Sequence, residues 1–315
     1  MRRILKISFI LLLGVQLITA QQDPNYSQSM FNMAAYNPGY AGSNDMVCLT
    51  GIARQQWTGI DRAPQTSFFN VNMPVKPFGI SSGIGLSIMN DVYGFNNDLG
   101  LNATYAYRMS AGDGKLGIGA SFGVFNPGID GADFQVYDEG TVEPAPSGVF
   151  PTTENPFIFD MGFGLFYRLD NMYMGISTTH LIESPISYKE ASIKPYIKRH
   201  YYITSGYNLQ LGNPLFELIP SFLVQSDGKV SQLALNTNIL YNKKIWGGVS
   251  YRVGDALIGM LGFELFNGLR LGYAYDFEMN ALKSQAGGTH ELFVGYCFSL
   301  KVDKEPQQYK SIRFL

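Results

Sequence analysis

Apolar and small or polar residues alternate along Asp98 to Arg108. Leu99, Leu101, Ala103, Tyr105 and Tyr107 share one face; Asp98, Gly100, Asn102, Thr104, Ala106 and Arg108 share the other. A period of two is the signature of a strand with two unlike faces. Lys115 to Phe125 repeats it, with Leu116, Ile118, Ala120, Phe122 and Val124 opposite Gly117, Gly119, Ser121 and Gly123. Ala111-Gly112-Asp113-Gly114 between the runs suits a hairpin turn, because Gly and Asp tolerate positive φ. Each run is about ten residues, the length of a tilted strand crossing a bilayer.

The same pattern predicts about fourteen strands, an even number as single-chain bacterial barrels have. They fall over 46–57, 65–74, 81–91, 97–109, 114–125, 156–168, 171–181, 199–210, 214–226, 229–241, 244–253, 256–266, 268–279 and 288–300. Links after even-numbered strands are tight, such as Lys76 to Gly79 and Tyr241 to Lys243, whereas several after odd-numbered strands are long, notably 126–155, 182–198 and 280–287. Short periplasmic turns alternate with longer outer loops in outer-membrane barrels. The expected fold is therefore an all-β transmembrane outer-membrane barrel of about 14 antiparallel strands with both termini periplasmic. Tyr107-Arg108, Tyr167-Arg168 and Tyr251-Arg252 each end a strand, so each Tyr can join an aromatic belt while its Arg faces the lumen.

Composition fits this reading: 46% hydrophobic, 15% charged and 14% aromatic residues with 35 Gly in 315 residues. A large secreted sandwich or propeller could share the composition, but not the parity of the links. A net charge of -2 gives no reason to expect nucleic acid. Residues 1–20 read as a signal peptide: Arg2, Arg3 and Lys6 precede the apolar run Ile7 to Ile18 and the small-residue end Thr19-Ala20. The organisation expected is then a 21–45 periplasmic or plug segment, a 46–300 transmembrane barrel and a 301–315 periplasmic tail. Cys48 and Cys297 lie on the first and last strands, which adjoin in a closed barrel, so a bridge is sterically possible. Two unpaired thiols acting as small apolar residues are the favoured reading.

Catalytic signals are weak. Gly79-Ile80-Ser81-Ser82-Gly83 matches a nucleophile elbow, but that motif needs a strand, a sharp turn and a helix, and here a strand follows. His180, His200 and His290 show no metal-ligand spacing to one another or to a carboxylate pair. No phosphate loop or dinucleotide fingerprint is present, so the chain is read as non-enzymatic, without cofactor or metal. Arg108, Arg270, Asp276 and Glu278 fall on polar strand faces and are expected to face the lumen. There they would set ion selectivity, hold a plug or partner, or pair with one another.

Asp23 to Gln28, Tyr36 to Ser43, Arg54 to Asp61 and Ala63 to Thr66 closely resemble the PorP/SprF family. The likeness continues through Gly85 to Ile88, Asn90-Asp91 and Gly288 to Glu291, and in the ending Lys310 to Leu315. The resemblance implies an outer-membrane barrel of the Bacteroidetes type IX secretion system, which exports large proteins with a C-terminal sorting domain, gliding adhesins among them. By analogy its partners would be outer-membrane lipid, a client such as the SprB adhesin, and periplasmic parts including the PorK/PorN ring and PorE. A diffusion channel or small-solute transporter is the alternative reading.

The N-terminal segment is more apolar than a free tail should be, so its aromatic residues should pack against a partner or the chain's own barrel. Tyr26, Phe31, Tyr36 and Tyr40, with Trp57 where the first strand meets its outer loop, are candidate partner contacts. So are Arg313, Phe314 and Leu315, the apolar end of a polar tail. Deleting 308–315 is expected to spare barrel insertion and impair client export or anchoring.

Overall fold

The computed structural model describes residues 23–130, 135–138, 141–144, 153–188, 196–265 and 268–299. The expected signal peptide, the tail from 301 and Arg313, Phe314 and Leu315 lie outside the described residues.

Fourteen antiparallel strands form the wall: β1 (Val47–Gln55), β2 (Gln65–Val75), β3 (Ser82–Tyr93), β4 (Asn96–Ala111), β5 (Gly114–Asp130), β6 (Ile158–Arg168) and β7 (Met172–Thr179). They continue as β8 (His200–Tyr207), β9 (Phe216–Ser226), β10 (Ser231–Tyr241), β11 (Ile245–Arg252), β12 (Ala256–Glu264), β13 (Leu269–Glu278) and β14 (Thr289–Phe298). Each pairs with its sequence neighbours, and β14 returns to pair with β1 from Val47↔Phe298 to Gln55↔His290. That pairing closes the barrel and removes every open edge, which a lipid environment requires because unpaired backbone groups there have no water. Two-residue strands Thr153–Glu154 and Leu209–Gln210 add to β5 and β9, and a separate hairpin pairs Gln135–Asp138 with Thr141–Pro144. Among the described residues no helix is long and apolar enough to cross a membrane.

The alternation along β4 is realised as read. Leu99, Leu101, Tyr105 and Tyr107 remain 43–45% exposed on the outer surface, while Asp98, Ala106 and Arg108 are buried inside. Exposed Phe122, Ile176, Ile203, Leu235, Val249, Leu261 and Val294 extend this apolar band around the wall, as contact with lipid tails demands. Both β4 and β5 run longer than expected, at 16 and 17 residues.

The longest connections lie at one end, called here the loop end, which also carries the short links 94–95 and 253–255; the opposite end, called the turn end, carries none longer than 208–215. The links 76–81, 112–113 and 242–244 lie at the turn end; 56–64, 180–199 and 279–288 lie at the loop end. Because β1 begins and β14 stops at the turn end, the barrel proper has both its ends on one side. The chain before β1 does something different. It runs through the lumen from the loop end, where Asp23 meets His180 and His200, down to Asp45 beside Arg108 and Lys115 at the turn end. The expectation of both termini on one side therefore holds for the strands but not for the described start of the chain. Inside the wall Tyr26 and Tyr36 are buried, which draws this stretch into the lumen.

The unpaired-thiol reading is corrected. Cys48 and Cys297 are joined by a disulfide, and none of the described cysteines is free. Barrel closure places them opposite each other in the β1–β14 register with Cα atoms 4.2 Å apart, at the short limit of disulfide geometry.

Candidate functional site

The lumen and the segment that fills it form the candidate site. Three short 3-10 turns, Ser29–Phe31, Met33–Ala35 and Pro38–Tyr40, give residues 23–45 a compact irregular path. Asn37-Pro38-Gly39 sets the last: the Asn37 side chain accepts from the Gly39 N–H at 2.8 Å, and Pro38 pre-sets φ at the first helical position.

Aromatic packing holds the segment along its length. Tyr26 sits with ring centroids 5.9 Å from Tyr36 and 5.8 Å from Phe68; Phe31 lies 5.2 Å from Trp246 and 5.4 Å from Phe293. Tyr36 packs 5.2 Å from Tyr202, and Tyr40 edge-on 5.2 Å from Phe166. Such spacings favour the ring quadrupoles as well as burial. Burying each large apolar side chain contributes roughly 1.5–3 kcal/mol, so this cluster anchors the segment strongly. Lower down, Asn37 donates to the carbonyls of Leu165 (2.9 Å) and Ile176 (3.4 Å), and Ser177 Oγ donates to the Tyr36 carbonyl at 2.7 Å.

The wall is built to admit the segment closely. A Cβ on Gly83 would stand 2.0 Å from the Ala41 carbonyl oxygen, and one on Gly119 only 2.3 Å from the Pro38 carbonyl carbon. The small inner face of β3 and β5 is thus a bed for another stretch of backbone.

A buried charge cluster fastens the upper part. Arg54 of β1 lies 2.9 Å from Asp276 of β13 and 3.2 Å from Glu291 of β14; Arg252 of β11 lies 3.3 Å from Asp276 and 3.0 Å from Asp255. Side chains of Arg54, Arg252, Asp276 and Glu291 are at most 3% exposed. The two arginines balance the two fully buried carboxylates, as charges taken out of water must be balanced, and the partly exposed Asp255 adds a third carboxylate beside Arg252. The lumenal segment completes the cluster. Backbone N–H groups of Ser27 and Gln28 donate to the two Glu291 oxygens at 2.7 and 2.8 Å, and Ser27 Oγ donates to Asp276 at 2.6 Å. At the turn end Asp45 accepts from Arg108 and Lys115, each at 2.8 Å. Desolvation raises the Asp45 carboxyl, but the hydrogen bonds and charges of Lys115 and Arg108 outweigh it and hold the carboxyl below its ordinary value.

Of the four expected lumen-facing charges, Arg108, Asp276 and Glu278 are buried in the interior, and Glu278 accepts from Thr289 at 2.8 Å. Arg270 is half-buried, with Nη2 3.6 Å from Cys297 Sγ. It lines a cavity of about 550 Å³ at the turn end together with Phe31, Met33, Tyr40 and Arg168. Tyr107 and Tyr251 point outward and Arg108 and Arg252 inward. Tyr167 instead caps a turn by donating to the Ala111 carbonyl at 2.9 Å, and Arg168 reaches Asn44. Trp57 lies in the turn after β1, its backbone N–H donating to Thr289 Oγ1 at 3.1 Å. Arg252 faces the lumen as its Tyr-Arg strand end suggests; Arg54 and Glu291 were not anticipated as lumenal charges, although each sits on the inward face of its strand, beside buried Ile52 and Phe293. His180 and His200, which show no local spacing, are brought together with Asp23 by adjacent strand ends; their ligand-capable atoms lie within 4.8 Å of one another.

A closed fourteen-strand wall with an apolar outer band and its longest connections at one end defines an integral outer-membrane β-barrel with an occupied lumen. Residues 18–296 match the family model described as type IX secretion system membrane protein PorP/SprF. The chain belongs to that family, and it resides in the outer membrane. No protein of curated function matches the sequence. Solved structures similar to the chain include the outer membrane protein Omp33 of Acinetobacter baumannii, with 9% identity, TM-score 0.47, 81% of this chain and 99% of that one covered. The Ralstonia pickettii toluene transporter TbuX shows 10% identity and TM-score 0.47, with 89% and 95% covered. The P. putida toluene transporter TodX shows 10% and 0.42, with 84% and 93% covered. At these scores the likenesses carry no functional argument.

Proposed function

We propose that this chain is a non-enzymatic outer-membrane component of the type IX secretion system, supporting export or surface attachment of sorting-domain proteins such as gliding adhesins. It does so by binding the client or periplasmic parts of the machine. Family membership supports the system; the occupied lumen supports the mode of action. A diffusion channel needs a clear path, whereas here the chain's own residues 23–45 run from the loop end to the turn end between Tyr202, Trp246 and Phe293. The lumen is therefore used as a socket for a structural segment, and partners are met at the barrel's rims. Gly79 ends a 3-10 turn and strand β3 starts at Ser82, so Gly79 to Gly83 lacks the strand-turn-helix setting of a nucleophile elbow.

The test is a mild-detergent pull-down of the tagged protein from its own outer membrane, with mass spectrometry of its companions and planar-bilayer recording of the same sample. Co-purification of periplasmic ring proteins, or of a very large surface protein, together with a closed pore is expected. Recovery of the barrel alone with steady open conductance would overturn the proposal in favour of a channel.

A further inference from the structure

At the loop end of the lumen a second group gathers, separate from the charged cluster around Arg54. Asp23 stands between the end of β7 and the start of β8. Its Oδ1 is 2.9 Å from His180 Nε2 and 3.7 Å from His200 Nδ1, and its backbone N–H is 3.3 Å from His200 Nε2. Side-chain exposures are 10% for His180, 3% for His200 and 22% for Asp23.

What distinguishes this group from a chance meeting is the layer behind it. His200 Nδ1 lies 3.1 Å from the Lys198 carbonyl, and His180 Nδ1 lies 3.1 Å from the Asp160 carboxylate. The contacts at Nδ1 set both rings, while Nε2 faces Asp23 Oδ1 in His180 and the Asp23 N–H in His200, so an ion would enter by replacing those two contacts. The Asp23 carboxylate is steadied in the same way: its Oδ2 accepts from Tyr202 at 2.6 Å and from Thr179 at 3.0 Å, leaving Oδ1 toward the imidazoles. With an ion bound in place of the proton His180 holds between them, Asp23 and, behind it, Asp160 would supply two negative charges to a divalent cation in a largely buried place.

We propose that Asp23, His180 and His200 form a divalent transition-metal site, with Zn²⁺ the best match, that clasps the start of the lumenal segment to the barrel wall. Two nitrogens and one oxygen with a position left for water suit zinc, and harder ions such as Mg²⁺ or Ca²⁺ are disfavoured by the imidazoles. Ligand atoms around a tetrahedral ion at about 2.0–2.1 Å lie roughly 3.4 Å apart. The present spread of up to 4.8 Å means that loading would draw the three side chains closer together. The ion would cross-link residues 157 and 177 positions apart, so its effect falls on the segment rather than on the wall.

The experiment uses full-length protein in detergent, stripped with chelator, loaded with Zn²⁺, dialysed, and analysed for metal content. About one zinc per chain is expected, falling at least tenfold in Asp23→Asn and in His200→Ala, with heat-modifiable gel mobility confirming that each barrel is folded. Cobalt loading of the unaltered protein gives an independent readout that needs no variant: visible absorption bands of four-coordinate Co²⁺, abolished by equimolar Zn²⁺. Less than a tenth of an equivalent of zinc with no cobalt bands overturns the site. So does zinc retained undiminished by both folded variants.

Discussion

Arg54 shows how much one buried side chain decides. It pairs with both Asp276 and Glu291, the two carboxylates that also receive Ser27 and Gln28 of the lumenal segment. Removing one partner of a buried ion pair leaves an uncompensated charge and costs about 3–5 kcal/mol. Arg54→Ala should therefore lower stability by about that amount in urea unfolding of the detergent-solubilised barrel, and should expose residues 23–45 to protease; an unchanged midpoint with an intact segment would show that the cluster is not an anchor. At the loop end, Asp227 is a smaller case with a definite sign. Burial raises its carboxyl, but the N–H groups of Val230 and Lys229 and the Lys198 ammonium 3.2 Å away outweigh this and bring it to about 2. A folded value below the unfolded one means stabilisation that is complete above pH ~4 and is lost as pH falls toward 2. Carboxyl NMR of labelled aspartate should place the Asp227 midpoint near 2; a midpoint near 4 would remove the effect.

Among the elements, β3 and β5 explain why small residues crowd one face of so many strands. Facing outward, the alternation serves lipid. Facing inward, Gly83 and Gly119 let a second backbone lie against the wall at distances a Cβ forbids. Gly83→Ala should leave the outer face and pairing register of β3 untouched, and so preserve heat-modifiable mobility. It should also displace the segment near Ala41, seen as faster proteolysis before β1 and a rise in planar-bilayer conductance. Conductance and cleavage equal to those of the unaltered chain would mean that the close approach is dispensable. The strands also depart from a plain apolar-out, polar-in rule. Phe68, Tyr202, Leu223, Trp246 and Phe293 are buried inside the barrel, because the segment supplies Tyr26, Phe31 and Tyr36 for them to pack on.

The molecule as a whole is closed twice, by the β1–β14 ladder and by the Cys48–Cys297 bridge across it. The bridge joins residues 249 apart, so it restricts nearly the whole unfolded chain. Removing a native disulfide typically costs about 2–5 kcal/mol. Thiol titration of unreduced, denatured protein should find no free thiol, and reduction should lower the unfolding midpoint correspondingly. Two titratable thiols without reductant would show that the ladder alone closes the barrel.

Strand number, strand bounds within a few residues, the parity of short and long links and the outward apolar face were all legible in the sequence. They depend on local period and turn chemistry, which neighbouring residues carry. The N-terminal block was legible as a segment that must be covered, since Tyr26, Phe31 and Tyr36 are too apolar to stay in water. What covers it was not legible, because a partner and the chain's own lumen offer the same chemistry. Only the closed barrel could decide that β1 meets β14, which makes the bridge; that Arg54, Arg252, Asp276 and Glu291 from four strands share one dry cluster; and that Asp23 reaches two histidines at the far end. Those contacts join residues tens to hundreds of positions apart, and no period along the chain encodes a distance that exists only once the wall has curved back on itself.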